Sequence, residues 1–408
     1  MRICHVTPYF HPEYYGSHEA FLSKELAARG HEVTLFTSDR MPRWGGARGA
    51  TDAELRAGTS TWEGVRVVRV PAGPTLSFVP SLPSLPRHLA AGEFDLFLSH
   101  EVFSLAAWHT LRAARKARRP FVLVQHGYHG GRRALFRALF KLEFALLGRK
   151  VLAGADRIVS LTERGAGFLR DLGAADERVE VVPTGVDCSL FEPGASVAAA
   201  SIEEAFVEAG PTASGHESAA EATAARPLSV GFVGRIDEAK GVHDLLEAFA
   251  RAFPDAARTG ARLELAGTGE AVPGLRQRAV ELGVDAALAF RGRLPHAEIP
   301  AFLAGLDVLA APTREVEPFG IVAVEAAAAG IPCLATRIGG LEETVVDRRT
   351  GLLVEPGDVD ALTHHLRRLA AEPVWRADLG EAARRRALGT YDWPRITDRF
   401  EAMFAAVA

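Results

Sequence analysis

The chain has little sulfur. Its 408 residues include three cysteines, Cys4, Cys188 and Cys333, and three methionines. Cysteines that are odd in number and far apart argue against a disulfide framework or a zinc site, and suit a reducing compartment. Long apolar runs are missing too. No stretch approaches the roughly 18 apolar residues that a membrane span needs. The sequence opens on "RICHVTPYF" with no charged and apolar leader ahead of it, so no secretory signal is expected and a cytoplasmic location is. Charge of one sign is also scarce. Forty-seven basic residues stand against 51 acidic ones, a net of −4 that predicts no general affinity for nucleic acid. Two nucleotide motifs are absent. No GxxxxGK[ST] loop occurs, and "GTGEAVPG" (267–274) is too loosely spaced for a dinucleotide fingerprint.

What is present reads as two α/β domains. At 408 residues, 48% hydrophobic, the chain is too long for one ordinary core. Strands are expected at 33–37, 65–70, 95–99, 121–125, 157–161 and 179–183, separated by helix-period segments such as "FLSKELAARG", which ends in Gly30. Alternation of this kind predicts parallel sheets covered by helices on both faces. Residues 194–226, rich in Ala, Ser, Gly and Glu, break the pattern and read as a linker or insertion. It resumes with strands at 228–234, 262–267, 288–292, 307–312, 332–336 and 351–356. The expected organisation is a first Rossmann-like domain over 1–193, the linker, a second over 227–390, and a last helix over 391–408 packing back on the first. Two such sheets facing each other across a cleft would bind a small molecule beyond their carboxyl edges.

Two stretches carry chemistry. In "GFVGRIDEAKGVHDLLEAF", Arg235 and Lys240 occupy a loop between a strand and a helix whose Val242, Leu245, Leu246 and Phe249 share one face. Fixed cations beside a helix start suit a phosphate, although two solvated surface cations fit the same letters. In "EPFGIVAVEAAAAG", Glu317 precedes a helix expected to start near Phe319, and Glu325 lies inside it. Eight positions span about 12 Å along a helix. A glycosidase carboxyl pair stands about 5–9.5 Å apart, so the two carboxylates are expected to hold different parts of one elongated ligand. Phe319, Gly320 and Ile321 would offer backbone N–H groups to an anion. A carboxylate among Val322, Val324 and the alanines that follow is costly unless paired, so Glu325 is harder to dismiss as incidental than Glu317.

Taken together, these stretches resemble glycosyltransferase family 4, retaining enzymes of the GT-B fold that use nucleotide sugars. The resemblance rests on "EPFGIVAVE" with the following "EAAAAGIPCLATRIGGLEETV", on "VGRIDEAKGVHDLLEAF", on "VEVVPTGVDCSLFEP", and on "LSKELAARGHEVTLFTSD" with "FVLVQHGYH" in the first half. It covers nearly the whole chain except about 194–226. It implies that Arg235 and Lys240 clamp the donor diphosphate in place of a metal, and that the N–H groups of Phe319, Gly320 and Ile321 meet the same phosphates. Glu325 would take the ribose hydroxyls, and Glu317 would lie near hydroxyls of the transferred sugar. His126 would face the reacting centre, the backbone at Arg293 and Leu294 would lie near the base, and Gly16 would approach donor and acceptor. No cofactor and no metal are implied; the partners are a nucleoside-diphosphate sugar, UDP- or GDP-linked, and a hydroxyl-bearing acceptor.

The chain departs from the family at "EYYGSHE", where Gly16 stands without the usual second glycine and Tyr14 or Tyr15 fills space or meets a sugar. Tyr128 and His129 are candidate acceptor contacts. His11, His18 and His129 have no metal-ligand spacing. A sugar-nucleotide epimerase, a glycan phosphorylase or a non-catalytic subunit of the same fold are the competing readings. The segment 131–150, "GRRALFRALFKLEFALLGRK", mixes basic and apolar residues. It reads as an interior helix with a basic outer face, or as a helix lying on an anionic membrane.

Overall fold

A computed structural model describes residues 1–11, 18–40, 55–76, 79–127, 142–191 and 227–408. Gly16, Tyr14, Tyr15, Tyr128, His129 and the 194–226 segment lie outside them, as does 131–141 of the basic segment. The chain divides into two compact units, Met1–Gly185 with Trp393–Ala408, and Val186–Asp392.

In the first unit the strands are β1 (Arg2–Val6), β2 (Glu32–Ser38), β3 (Gly58–Trp62), β4 (Val65–Val70), a small pair β5 (Thr75–Leu76) and β6 (Val79–Pro80), β7 (Leu96–His100), β8 (Phe121–Gln125), β9 (Arg157–Ser160) and β10 (Val179–Val181). Eight of them form one sheet in the order β10-β9-β8-β7-β1-β2-β4-β3. All neighbours are parallel except β3, which runs antiparallel to β4. β3 was not expected from the sequence, because "GTSTW" at the sheet edge buries almost nothing and carries no apolar alternation. The central strands β7 and β8 are buried at every position, as strands covered on both faces must be.

Alternation sorts the side chains onto two faces. Ile3, Leu96, Leu98, Val122 and Val124 join one core; Cys4, Val6, Phe97, Phe121 and Leu123 join the other. The helices His18–Ala28 and Trp393–Val407 cover the first face, contributing Leu22 and Leu26, and Trp393, Ile396, Phe400, Met403 and Phe404. The described end of the basic segment leaves Leu142 and Leu146 56% and 57% exposed, while Phe144 packs 5.6 Å from the ring of Phe103.

The second unit holds β11 (Ser229–Val233), β12 (Arg262–Ala266), β13 (Leu288–Gly292), β14 (Val308–Ala311), β15 (Cys333–Thr336) and β16 (Gly351–Val354). They form a wholly parallel sheet in the order β13-β12-β11-β14-β15-β16. Chain order reverses direction at β11 and β14, the position where such sheets leave a crevice beyond their carboxyl ends. The Val242–Ala252 helix buries Val242, Leu245, Leu246 and Phe249 against this sheet. The unit starts at Val186, ahead of the expected 227. Val186 N–H donates to Tyr391 O at 2.7 Å, Cys188 N–H to Asp392 at 3.3 Å, and Arg384 to Phe191 O at 2.9 Å, so this stretch is tied to the second unit's last helix.

Candidate functional site

In the second unit, strand ends and tight turns bring a cation and a carboxylate together. β11 stops at Val233, and the turn after it is built by Asp237, whose carboxylate accepts from Lys240 N–H at 3.1 Å. Gly241 (φ +66°) ends that turn, and a Cβ there would stand 2.0 Å from the Pro312 carbonyl oxygen. The loop after β14 closes on the same turn. Thr313 Oγ1 and Arg314 N–H both donate to Ala239 O, at 3.1 and 2.8 Å. Arg314 then grips the buried Asp244 through two bonds of 2.6 and 2.5 Å. With both loops anchored, Lys240 Nζ donates to Glu317 Oε2 at 2.5 Å, each side chain about a quarter exposed. Arg235 is 60% exposed and lies 2.9 Å from Asp237.

The helix start differs from expectation. It falls at Ile321 rather than near Phe319, because Gly320 adopts φ +86° and cannot belong to a helix. Phe319 is buried with its ring edge-on to Tyr391 at 5.9 Å. No side chain caps the Ile321–Ala328 helix; Ala323 N–H donates to Gly320 O at 3.0 Å, and the N–H groups of Ile321 and Val322 ahead of it keep their capacity for an acceptor. Gly339 and Gly340 allow a close backbone approach: a Cβ on Gly340 would come within 2.4 Å of Phe319 Cα, and Gly340 N–H donates to Glu317 O at 2.7 Å.

Glu325 is 2% exposed, and its Oε1 lies 3.3 Å from His296 Nε2. The sequence reading missed His296. The signal was a histidine four residues past β13, in the loop that also carries the exposed Arg293 and the half-buried Leu294. A buried carboxylate needs such a partner.

His126 belongs to the first unit, one residue past β8. It does not stand alone there. His5 on β1, His100 on β7 and His126 after β8 continue the face of Ile3, Leu98 and Val124 on three adjacent strands. His126 Nε2 lies 2.6 Å from His100 Nδ1, His100 Nε2 lies 2.6 Å from His5 Nε2, and His5 Nδ1 lies 2.7 Å from Ser23 Oγ. Glu19 Oε1 is 3.5 Å from His126 Nε2 and 3.9 Å from His100 Nδ1. Glu19, His100 and His126 also form the cluster among the described residues that could hold a metal ion. His18 is buried, 3.1 Å from Thr184 Oγ1, and meets His126 edge-on at 5.3 Å. Burial drives His5 down to about 3 and His100 and His18 well below the usual imidazole range, with the charge of neighbouring histidines adding to it. Individual histidine spacings could not have shown this; the phase of three strands could, once their order was known.

Gln125 braces the loop behind His126. Its amide accepts from Val102 N–H at 2.9 Å and donates to Glu101 at 2.6 Å and Gly127 O at 2.9 Å. All three cysteines are unpaired and buried, and burial pushes the Cys188 and Cys333 thiols up to about 12, which leaves no thiolate nucleophile.

Two Rossmann-like α/β units in one chain define the GT-B class of fold. Solved structures agree: the Anabaena protein HepE in complex with UDP superposes with a TM-score of 0.74 at 20% identity, covering all of both chains. The family described as "Glycosyltransferase Family 4" matches residues 17–190, and "Glycosyl transferases group 1" matches 216–386. A GDP-mannose-dependent alpha-(1-6)-phosphatidylinositol monomannoside mannosyltransferase of Mycolicibacterium smegmatis is 31% identical over 92% of this chain and 90% of its own. A D-inositol 3-phosphate glycosyltransferase of Frankia alni is 31% identical over 91% and 89%. The chain belongs to glycosyltransferase family 4 and is a glycosyltransferase.

Proposed function

We propose that the enzyme moves a hexose from a nucleoside-diphosphate sugar, UDP- or GDP-linked, to an acceptor hydroxyl and keeps the anomeric configuration. The observation that carries this reading is the Lys240–Glu317 pair, set four residues ahead of an uncapped helix start. A lysine held by a carboxylate is positioned but not neutralised for good. An incoming diphosphate competes for its ammonium while Glu317 turns to hydroxyls of the sugar. Arg235, mostly exposed and 2.9 Å from Asp237, supplies the second cation.

As the glycosidic bond breaks, negative charge grows on the departing diphosphate. Lys240, Arg235 and the N–H groups around Phe319, Gly320 and Ile321 stabilise it, the term that usually dominates such catalysis. These charges do the work that other transferases give to a metal. Glu325, steadied by His296, takes the ribose hydroxyls, and the backbone at Arg293 and Leu294 borders the base. His126 serves the sugar at the reacting centre, and Gly16 approaches donor and acceptor. The acceptor attacks from the face the leaving group vacates and passes its proton to a diphosphate oxygen, so no enzyme nucleophile is needed.

Three buried free thiols support action in the cytoplasm. Exposed Leu142 and Leu146, four positions apart beside Arg149 and Lys150, support contact with an anionic membrane as a route to a lipid-linked acceptor. No helix among the described residues is long and apolar enough to cross a membrane. The test is a panel of UDP-, GDP- and ADP-sugars against glycan, lipid-linked and inositol-type acceptors, with the anomer of each product read by NMR coupling. Transfer with retention is expected. Conversion of a donor to a new sugar nucleotide without any acceptor would replace this reading by an epimerase.

A further inference from the structure

The row His126–His100–His5–Ser23 does something that no single histidine can. Each inner imidazole is buried and neutral, and a neutral imidazole has one N–H and one bare nitrogen. Every contact along the row needs one of each, so the whole row points one way or the other. The choice fixes which nitrogen of His126 carries its proton.

We infer that His100, His5 and Ser23 are positioning residues that lock His126 as the Nε2–H tautomer and so present its Nδ1 as a hydrogen-bond acceptor. The proposal rests on the transferase reading above for what that acceptor meets, namely a hydroxyl of the bound sugar. Glu19 sets the direction. Its Oε1 is closer to His126 Nε2 (3.5 Å) than to His100 Nδ1 (3.9 Å), so the proton shared between these rings is best placed on His126. From there, His126 Nε2–H donates to His100 Nδ1, His100 Nε2–H to His5 Nε2, and His5 Nδ1–H to Ser23 Oγ. The reverse order would protonate His126 Nδ1 and turn that nitrogen into a donor. The rings meet end to end in nearly one plane, as in-plane hydrogen bonds require: the His5 and His100 centroids are 4.8 Å apart with planes 27° apart, His100 and His126 4.9 Å and 26°, and His18 abuts His126 edge-on.

The competing occupant of this cluster is a metal ion on Glu19, His100 and His126. Two nitrogens on one tetrahedral zinc, with bonds of about 2.0–2.1 Å, stand about 3.3 Å apart. The 2.6 Å between His100 Nδ1 and His126 Nε2 is a hydrogen-bond separation instead.

The test begins with the full chain, labelled with 15N-histidine and free of ligand. Long-range nitrogen–proton correlation is expected to show His126 with a protonated Nε2 and a bare Nδ1. An Nδ1–H tautomer overturns the proposal. His100→Leu is expected to lower kcat about tenfold or more, the worth of one hydrogen bond to a charged or reacting group, with nucleoside-diphosphate affinity within about twofold of wild type. His100→Asn keeps an acceptor near the Nδ1 position and should recover most of the loss. Equal rates for the two variants overturn the proposal. Should His100→Leu not fold, His5→Phe removes the acceptor for His100 Nε2–H and should shift His126 towards a mixture of tautomers; an unchanged tautomer overturns the proposal. Zinc that stays with the protein through dialysis and moves the His100 and His126 signals also overturns it. The tautomer is read without substrate. A wild-type enzyme that accepts no nucleotide sugar would therefore end the transferase reading and leave this measurement standing.

Discussion

Lys240 Nζ and Glu317 Oε2 are 2.5 Å apart across two loops that follow different strands of the second unit's sheet. They lie 77 positions apart in the chain; the Asp237 turn holds Lys240, and Gly340 N–H donates to the Glu317 carbonyl at 2.7 Å. On the proposed reading, replacing Lys240 by alanine removes a cation that stabilises the departing diphosphate. Turnover is expected to fall roughly 10²-fold or more, the scale for losing one such donor. Steady-state rates with a verified donor check this. Glu317→Gln keeps the shape and frees the lysine; diphosphate binding is expected to hold or tighten while transfer slows.

Gly241→Ala tests whether the turn positions Lys240. The new Cβ would sit 2.0 Å from the Pro312 carbonyl oxygen on a backbone at φ +66°. A loss of about 1–3 kcal/mol is expected from the strained conformation. The clash pushes apart the two loops that meet at Ala239, so nucleotide affinity should drop with stability, as melting curves with and without UDP or GDP would report.

A buried ion pair away from the site offers a stability test. Arg376 lies 3.3 Å from Asp307, both side chains 7% exposed, and Asp307 also accepts from Ser229 N–H at 2.8 Å. Arg376→Met leaves a buried carboxylate without its cation. A cost of about 3–5 kcal/mol is expected from denaturant midpoints.

The fold was largely legible because its physics is local. Buried parallel strands such as "FVLV" and "VLAA" are continuous apolar runs, and Val242, Leu245, Leu246 and Phe249 mark a one-faced helix. Edge strand β3 escaped because it buries so little. In the second unit's candidate site, residues that lie within one motif, such as Lys240 or Glu317, could be singled out from the sequence. Partners brought in by topology were not: His296 against Glu325, Arg314 against Asp244, and the row from His5 to His126 each join distant stretches. Only strand order places His5, His100 and His126 side by side.

The same row predicts a pH dependence of stability. His5 titrates at about 3 when folded and near 6.5 when unfolded, and His100 and His18 move in the same direction. Between those values the unfolded chain binds more protons, so stability rises with pH. It is complete above about 6.5 and is lost progressively as pH falls towards 3. Melting temperature is expected to decline from pH 7 to pH 5, and His5→Gln to decline less steeply.

Calorimetric titration of wild type and Lys240→Ala with UDP, GDP and ADP tests the diphosphate cradle most directly. At least one nucleoside diphosphate is expected to bind the wild type, its parent nucleoside to bind far more weakly, and the variant to lose about tenfold or more in affinity, some 1.4 kcal/mol. Equal affinity of wild type and variant, or binding of the nucleoside as tight as that of its diphosphate, would contradict it.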